Sequence, residues 1–190
     1  MKHAFVVCKN ETDATKKNAV LKGVKHLDNG DAVVTDGHRL YIGKAIHDYR
    51  NGEIVTPSGK KVKGEYPDIK RLLPTAVAQQ EIKVSLADLY EAIDCVAGVG
   101  KVVEGKAIAR FNHNFISYKF QHIVQYRREL DISFDVCFHA NAFYVLDALK
   151  LLKASNCESV TVRIYGAMRP FTLTNEDESL IALILPVRTY

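Results

Sequence analysis

The string Thr-Asp-Gly-His-Arg-Leu at residues 35–40 is the most informative stretch of this 190-residue chain. Two further strings belong with it: Tyr-Pro-Asp-Ile-Lys-Arg-Leu-Leu-Pro at residues 66–74 and Leu-Ile-Leu-Pro-Val-Arg at residues 183–188. We call them the 35–40 turn, the 66–74 segment and the 183–188 tail. Each taken alone is typical of ordinary structure, namely a turn, a linker and a buried strand. None of the three strings is therefore specific by itself, and the rest of the chain must be considered together with them.

Composition places the chain among ordinary globular proteins with a substantial core. Hydrophobic residues make up 47% and charged residues 25%, and a chain of this length forms one domain or two small ones. Lys and Arg exceed Asp and Glu by 26 to 22, which gives a net charge of +4. This mild excess permits a polyanionic partner without requiring one. The densest basic run, at residues 60–63, is expected to be a solvated hairpin face.

The cysteines and the N-terminus indicate a cytoplasmic protein. Cys8, Cys95, Cys137 and Cys157 are scattered, and the last three lie in or beside apolar segments, so we expect buried free thiols in a reducing compartment. The close Cys and His spacing of a zinc site is absent, and we expect no metal and no cofactor. The apolar run within residues 1–8 does not resemble a secretory signal. No segment reaches the roughly 18 apolar residues that a membrane helix needs.

The N-terminal half predicts short strands joined by tight turns. Asn29-Gly30 supplies the positive φ angles of a hairpin turn, and Pro-Ser-Gly at residues 57–59 marks a second turn. Residues 10–18 are polar and predict a loop or a short helical turn. Strands are predicted at residues 3–8, 20–27, 32–35 and 40–43, and residues 64–80 are predicted to link this half to the next.

The C-terminal half predicts helices packed on strands. Ser85 is a suitable N-cap for an apolar helical stripe over residues 86–97, and Gly98 and Gly100 are expected to end that helix. Asn141 caps a second helix. Its apolar stripe is Ala142, Val145, Leu146, Leu149 and Leu152.

Six strands are predicted around these helices, near residues 103–111, 114–120, 130–138, 159–165, 169–174 and 180–187. From residue 82 onward the order is strand, helix, three strands, helix, three strands. This order suggests an internal duplication and an α+β fold, with helices packed on antiparallel sheets.

The three strings, in this order, resemble the bacterial DNA polymerase III beta subunit family, the sliding clamps. Residues 141–149 are similar to the second helix of the family's third domain, and the 183–188 tail is very close to the family's C-terminus. Residues 20–43 resemble the first half of the middle domain. The family's first domain has no counterpart, so the resemblance is to an abridged clamp. It implies a DNA-clamp fold with a trimmed half-domain over residues 1–74 and a clamp domain over residues 75–190.

The resemblance also implies a peptide-binding groove where the three strings meet. Its leucines and valine would form an apolar floor for large anchors, and Gly37 would allow a close backbone approach. Its two prolines would stiffen the walls, and its three arginines would hydrogen-bond peptide carbonyls or an acidic side chain. Matched residue by residue, the groove consists of Thr35, Gly37, His38, Arg39, Leu40, Pro67, Arg71, Leu72, Leu183, Leu185, Pro186, Val187 and Arg188.

The function implied is that of a DNA sliding clamp or clamp-like processivity factor. Its partners would be clamp-binding peptides of DNA polymerase and of other replication and repair proteins. Double-stranded DNA would be a weak partner, contacted through its phosphates by Lys150 and Lys153 of the second helix. A ring would require a homo-oligomer. The alternative is a non-encircling adaptor or decoy that presents the same groove to replication proteins.

Two other functions have less support from the residues. Catalysis would need an acid–base pair such as Asp36 with His38, but no nucleotide-binding, nucleophile or metalloprotease motif accompanies it, so we expect no enzyme. Basic residues beside aromatic ones at residues 118–120 and 126–128 suggest a nucleic-acid-binding module. A solvated sheet face is the simpler interpretation of those two runs.

Overall fold

The computed structural model describes residues 4–9, 12–47, 52–122 and 124–188. The helices are α1 (Phe5–Lys9), α2 (Asp13–Lys17), α3 (Ile69–Leu72), α4 (Leu86–Val103) and α5 (Ala142–Lys153), with a 3-10 turn at Ala19–Lys22. The strands are β1 (Val24–His26), β2 (Ala32–Thr35), β3 (Arg39–Gly43), β4 (Ile54–Val55), β5 (Lys61–Val62), β6 (Gln80–Ser85), β7 (Ile108–Phe120), β8 (Val124–Asn141), β9 (Ser159–Ile164), β10 (Phe171–Thr174) and β11 (Leu180–Ile184).

One antiparallel sheet runs through both halves of the described chain. Its strand order is β5-β4-β1-β2-β3-β11-β10-β9-β6, and β7 and β8 form a separate two-stranded ribbon. The halves join where β3 pairs with β11, with Leu40 opposite Leu183 and Ile42 opposite Ile181. This pairing makes the N-terminal and C-terminal parts of the chain share a single sheet.

The two faces of this sheet carry different layers. On one face, α1, α4, α5 and the ribbon enclose the large core, which includes Tyr41 of β3 and Ile184 of β11. On the other face, Leu40 and Leu183 join a smaller apolar cluster. Because side chains alternate along a strand, neighbours on β3 point to opposite layers. The predicted α+β fold, with helices on antiparallel sheets, is confirmed.

The predicted strand at residues 3–8 is wrong, since the chain forms helix α1 there. Ala4, Val7 and Cys8 are buried, whereas Val6 and Lys9 are exposed. Burial at positions i, i+3 and i+4 is the spacing of one helix face. The short helix thus packs its apolar side against the sheet, and residue 3 lies outside the described residues.

The predicted end of the first long helix is also wrong, because α4 continues through both glycines to Val103. A Cβ atom at Gly100 would lie 2.4 Å from the Lys106 carbonyl oxygen, so this glycine allows a close backbone approach. The helix stops before Gly105, whose φ of +67° is left-handed.

Two long strands occupy the region where three were predicted. β7 and β8 pair over most of their length, with register irregularities between Phe111 and His113 and between His113 and Phe115. Such bulges bend a ribbon without ending it. The order after residue 80 is therefore strand, helix, two strands, helix, three strands. The turn at Gly30 (φ +84°) and the α5 cap at Asn141, which accepts from Phe143 N at 3.0 Å, form as predicted.

Candidate peptide-binding site

The 35–40 turn is a tight, self-bonded loop between β2 and β3. Asp36 Oδ1 accepts hydrogen bonds from the backbone N–H groups of His38 (3.0 Å) and Arg39 (3.1 Å). Thr35 Oγ1 donates to the Arg39 carbonyl at 2.7 Å and accepts from Gly37 N at 3.2 Å. Gly37 has φ +88°, a left-handed conformation that favours glycine. Asp36 thus supplies the side-chain acceptor of the turn, and Gly37 supplies its left-handed residue. His38, at the tip of the turn, is exposed.

The 183–188 tail lies against this turn. Leu183 sits opposite Leu40 in the β3–β11 pairing, and Leu185 N donates to the His38 carbonyl at 2.9 Å. Farther along, Val187 N donates to the His139 carbonyl at 2.8 Å, next to the end of β8. Leu185 is 37% exposed, Arg188 is exposed, and the residues between them are half-buried.

The 66–74 segment packs against the apolar cluster to which Leu40 and Leu183 of the other two strings belong. Helix α3 begins at its cap Asp68, whose side chain accepts from Lys70 N at 3.1 Å. Ile69 and Leu73 pack against the cluster that contains Leu40 and Leu183. The phenol of Tyr66 accepts a hydrogen bond from Thr35 N at 3.1 Å. The three strings therefore meet in space.

A cavity of about 250 Å³ opens beside α3. Of the predicted groove residues it contains Arg71 and Leu72, which are both exposed. Its opposite side is formed by the connection between β9 and β10, a region that the sequence analysis did not assign to the site. The remaining lining residues are Leu73, Pro74, Thr75 and Ala76 after α3, and Tyr165, Arg169 and Pro170 in the β9–β10 connection. Beside Arg169-Pro170, the apolar side chain of Met168 is 55% exposed.

Arg39 has a different environment from the other predicted groove residues. It is only 3% exposed, and it points to the helix layer rather than toward Leu40. Its guanidinium bonds Asp36 at 3.0 Å and Asp147 of α5 at 2.7 Å, and lies 4.4 Å from the centre of the Tyr144 ring. Burial acts to lower the pKa of Arg39, but Tyr41 and the two carboxylates raise it above its ordinary value. The side chain therefore stays charged and bound within the fold.

The start of α5 lies beside the 35–40 turn, on the helix side of the sheet. The rings of His38 and Tyr144 are stacked with their centres 6.1 Å apart. Tyr144 also lines a shallow cavity of about 390 Å³ with Asn141 and Lys9. The cap and the apolar stripe of this helix are visible in the sequence, whereas the position of Tyr144 beside His38 depends on tertiary packing.

The two predicted DNA-contacting lysines lie away from the groove, on α5 in the helix layer. Lys150 is half-buried, and Lys153 Nζ lies 4.9 Å above the ring of Tyr90 on α4. The acids of α4 at positions 88 and 91 face Arg128, with Arg128 Nη1 2.8 Å from Glu91. The helix layer thus presents both signs of charge.

Within the four described ranges, no three His, Cys, Asp or Glu side chains lie close enough together to hold a metal ion. Of the helices in those ranges, none is long and apolar enough to cross a membrane.

Comparisons with known proteins find that the chain is similar to bacterial beta sliding clamps. No protein-family model matches the chain. The beta sliding clamp of Staphylococcus epidermidis is 28% identical over 193 residues, which cover 95% of this chain and 49% of that protein. The beta sliding clamp of Bacillus subtilis is 30% identical over 175 residues, covering 84% and 41%. The chain spans about half the length of the curated relatives it matches.

Solved structures agree on the fold. The DNA polymerase sliding clamp from Bacillus subtilis superposes with a TM-score of 0.76 at 21% identity, covering 100% of this chain and 63% of that one. The Helicobacter pylori beta clamp bound to a DNA ligase peptide superposes with a TM-score of 0.69 at 16% identity, covering 98% and 62%. The predicted DNA-clamp fold is confirmed.

Proposed function

Because this chain belongs to the bacterial beta sliding clamp family, we propose that it acts as a DNA sliding clamp or clamp-like polymerase processivity factor. It holds partner peptides in the groove between the 35–40 turn, the 66–74 segment and the 183–188 tail. The observation that carries this proposal is the pairing of β3 with β11, since it brings Leu40 and Leu183 together under α3. The division into a half-domain over residues 1–74 and a clamp domain over residues 75–190 belongs to the same proposal.

The chemistry of the groove suits an extended peptide with large apolar anchors. Leu72 and Leu185 are 41% and 37% exposed, so an anchor that covers them removes apolar surface from water. Arg71 and Arg188 are exposed at its edges and serve peptide carbonyls or an acidic side chain. A similarly folded clamp from Helicobacter pylori has been solved bound to a DNA ligase peptide. The partners are therefore clamp-binding peptides of DNA polymerase and of other replication and repair proteins.

Titration calorimetry tests the groove with a synthetic peptide of polar, aliphatic and aromatic residues in succession. Leu185→Ala is expected to weaken binding by about 1–3 kcal/mol, because it removes one large anchor contact. Val102→Ala is the matched control, since Val102 is 86% exposed at the end of α4. No binding by the folded wild-type protein, or an equal loss in both variants, would contradict the groove.

Encirclement of double-stranded DNA is the second part of the proposal, and it requires a homo-oligomer. A closed wall would need several copies joined head to tail, because about half of a clamp chain cannot surround a duplex. Lys150 on α5 would face the phosphates. We expect the protein's affinity for DNA to be weak. The proposed role involves no catalytic step and uses no metal or cofactor.

The distribution of charge on α4 favours a second candidate, a non-encircling adaptor or decoy that uses the same groove. Asp88, Glu91 and Asp94 are exposed on that helix, and they repel a phosphate backbone. An adaptor needs the groove but neither the ring nor the DNA contact. Light scattering and DNA retention distinguish the two candidates.

A further inference from the structure

The outer face of the β7–β8 ribbon carries the basic and aromatic runs that the clamp function leaves unexplained. One face of β7 packs into the large core, to which α4 also contributes, through buried residues that include Phe111 and Tyr118. The bulges between Phe111 and Phe115 shift the alternation of side chains. As a result, Arg110 before the bulges and Lys119 after them are both exposed.

These two cations line one concavity of about 500 Å³ on the ribbon. Arg127 and His139 of β8 line it as well, because they lie opposite Ser117 and Arg110 in the ribbon pairing. Its one acidic lining residue, Glu104, accepts a hydrogen bond from Tyr118 at 3.2 Å.

The cations at the two ends of the concavity are not neutralised within the described chain. Among the described residues, Arg110 donates only to the Cys137 sulfur, at 3.5 Å, and Lys119 forms no salt bridge. Arg127 is partly neutralised by Glu129, which lies 3.1 Å away. The concavity is therefore suited to an anion that reaches both ends.

An aromatic platform lies between the two ends. Phe115 is half-buried, and the guanidinium of Arg127 lies 4.0 Å from the centre of its ring. Exposed faces of an aromatic ring and of a guanidinium are surfaces on which an unpaired base can lie. An acidic peptide without aromatic side chains gains nothing from such a platform, and a base paired inside a duplex is not free to stack on it.

We propose that the concave face of the β7–β8 ribbon is a binding site for single-stranded nucleic acid, with phosphates on Arg110 and Lys119 and a base on Phe115 and Arg127. The site belongs to a ribbon separate from the nine-stranded sheet that carries the peptide groove. It therefore goes beyond the proposed function and does not depend on it.

Fluorescence anisotropy with a labelled oligothymidine of about 15 nucleotides tests the site. Replacing both end cations, Arg110→Gln with Lys119→Gln, is expected to raise Kd about tenfold or more. It should also reduce the slope of log K against log salt by about 1.4, since two single-strand phosphate contacts are lost. Phe115→Leu should raise Kd about tenfold with the salt slope unchanged, because stacking is lost and charge is not.

The matched control is Lys60→Gln with Lys63→Gln, two exposed cations near β5, which should leave Kd unchanged. Unfolding midpoints establish that each variant is folded. The proposal is overturned if the wild-type protein does not bind the oligonucleotide at low salt, or if the control pair weakens binding as much as the ribbon pair. It is also overturned if polyglutamate of equal charge displaces the oligonucleotide as well as unlabelled oligothymidine does, or if duplex DNA binds the ribbon more tightly.

Discussion

Arg39 Nη1 donates a 2.7 Å hydrogen bond to Asp147 Oδ2, a residue 108 positions later in the chain. Arg39 begins β3 directly after the 35–40 turn, and Asp147 lies in the middle of α5. The contact therefore ties the turn to the helix that carries Tyr144. A buried charge needs such partners, because the protein interior solvates it poorly.

Asp147→Asn is expected to destabilise the protein by about 1–3 kcal/mol, since a charged acceptor of a buried guanidinium is lost while Asp36 remains. Urea unfolding followed by circular dichroism measures the change. Asp94→Asn on the exposed side of α4 should change stability by no more than about 0.5 kcal/mol. Equal effects of the two substitutions would contradict the bridging role of Asp147.

Gly37→Ala and Gly59→Ala separate backbone strain from steric contact. Both glycines have left-handed φ angles, +88° and +83°, so each alanine should cost about 1–2 kcal/mol. At Gly37 a Cβ atom would also lie 2.8 Å from the Ala14 Cβ atom, whereas nothing lies within 4 Å at Gly59. Thermal unfolding should show the larger loss for Gly37→Ala, and the reverse order would refute the close packing of α2 on the turn.

Leu40→Ala and Leu72→Ala should distinguish folding from binding. Leu40 is 1% exposed, so its truncation leaves a cavity and should cost about 2–5 kcal/mol of stability. Leu72 is 41% exposed, and its truncation should cost under about 1 kcal/mol while weakening peptide binding. Chemical unfolding and calorimetric peptide titration on the same samples check both. Unchanged peptide affinity in Leu72→Ala would remove that residue from the groove.

The four cysteines should react with a disulfide reagent at very different rates at pH 8. Cys8 is 4% exposed, and burial raises the pKa of its thiol to about 12, so very little reactive thiolate is present below that pH. Cys95 is exposed, contrary to the prediction of a buried thiol, and should react first. Cys95→Ser should remove the fast phase, and unfolding in urea should make all remaining thiols reactive. If Cys8 is labelled as fast as Cys95 in the folded protein, Cys8 is not buried as described.

Light scattering over a range of concentrations, followed by retention on circular and linearised DNA, tests the ring. An encircling oligomer should stay on circles and slide from linear ends, with an affinity that falls steeply with salt. Lys150→Gln should weaken retention more than Lys153→Gln, because Lys153 is held over Tyr90. A monomer without preference for circles would leave the adaptor as the function.

Sequence patterns correctly predicted those turns and helices that are stabilised by residues close to one another in the chain. The hairpin at Gly30 needs only a residue that tolerates positive φ, and α5 needs only its Asn141 cap and an apolar stripe. Helix α1 was predicted as a strand because a run of five apolar residues fits a strand as well as a buried helix. The end of α4 was missed because Gly100 serves close packing against Ala107 rather than termination.

The sequence by itself determined the family, the turn chemistry of residues 35–40 and the three strings of the candidate groove, because these depend on residue identity and short spacing. Only the tertiary structure decided that Leu40 faces the groove cluster while Arg39 faces Asp147. It also decided that Tyr165 and Arg169 complete the cavity beside Leu72. The reason is physical: strand pairing sets which side of the sheet each side chain occupies, and β3 pairs with a strand about 140 residues away in sequence.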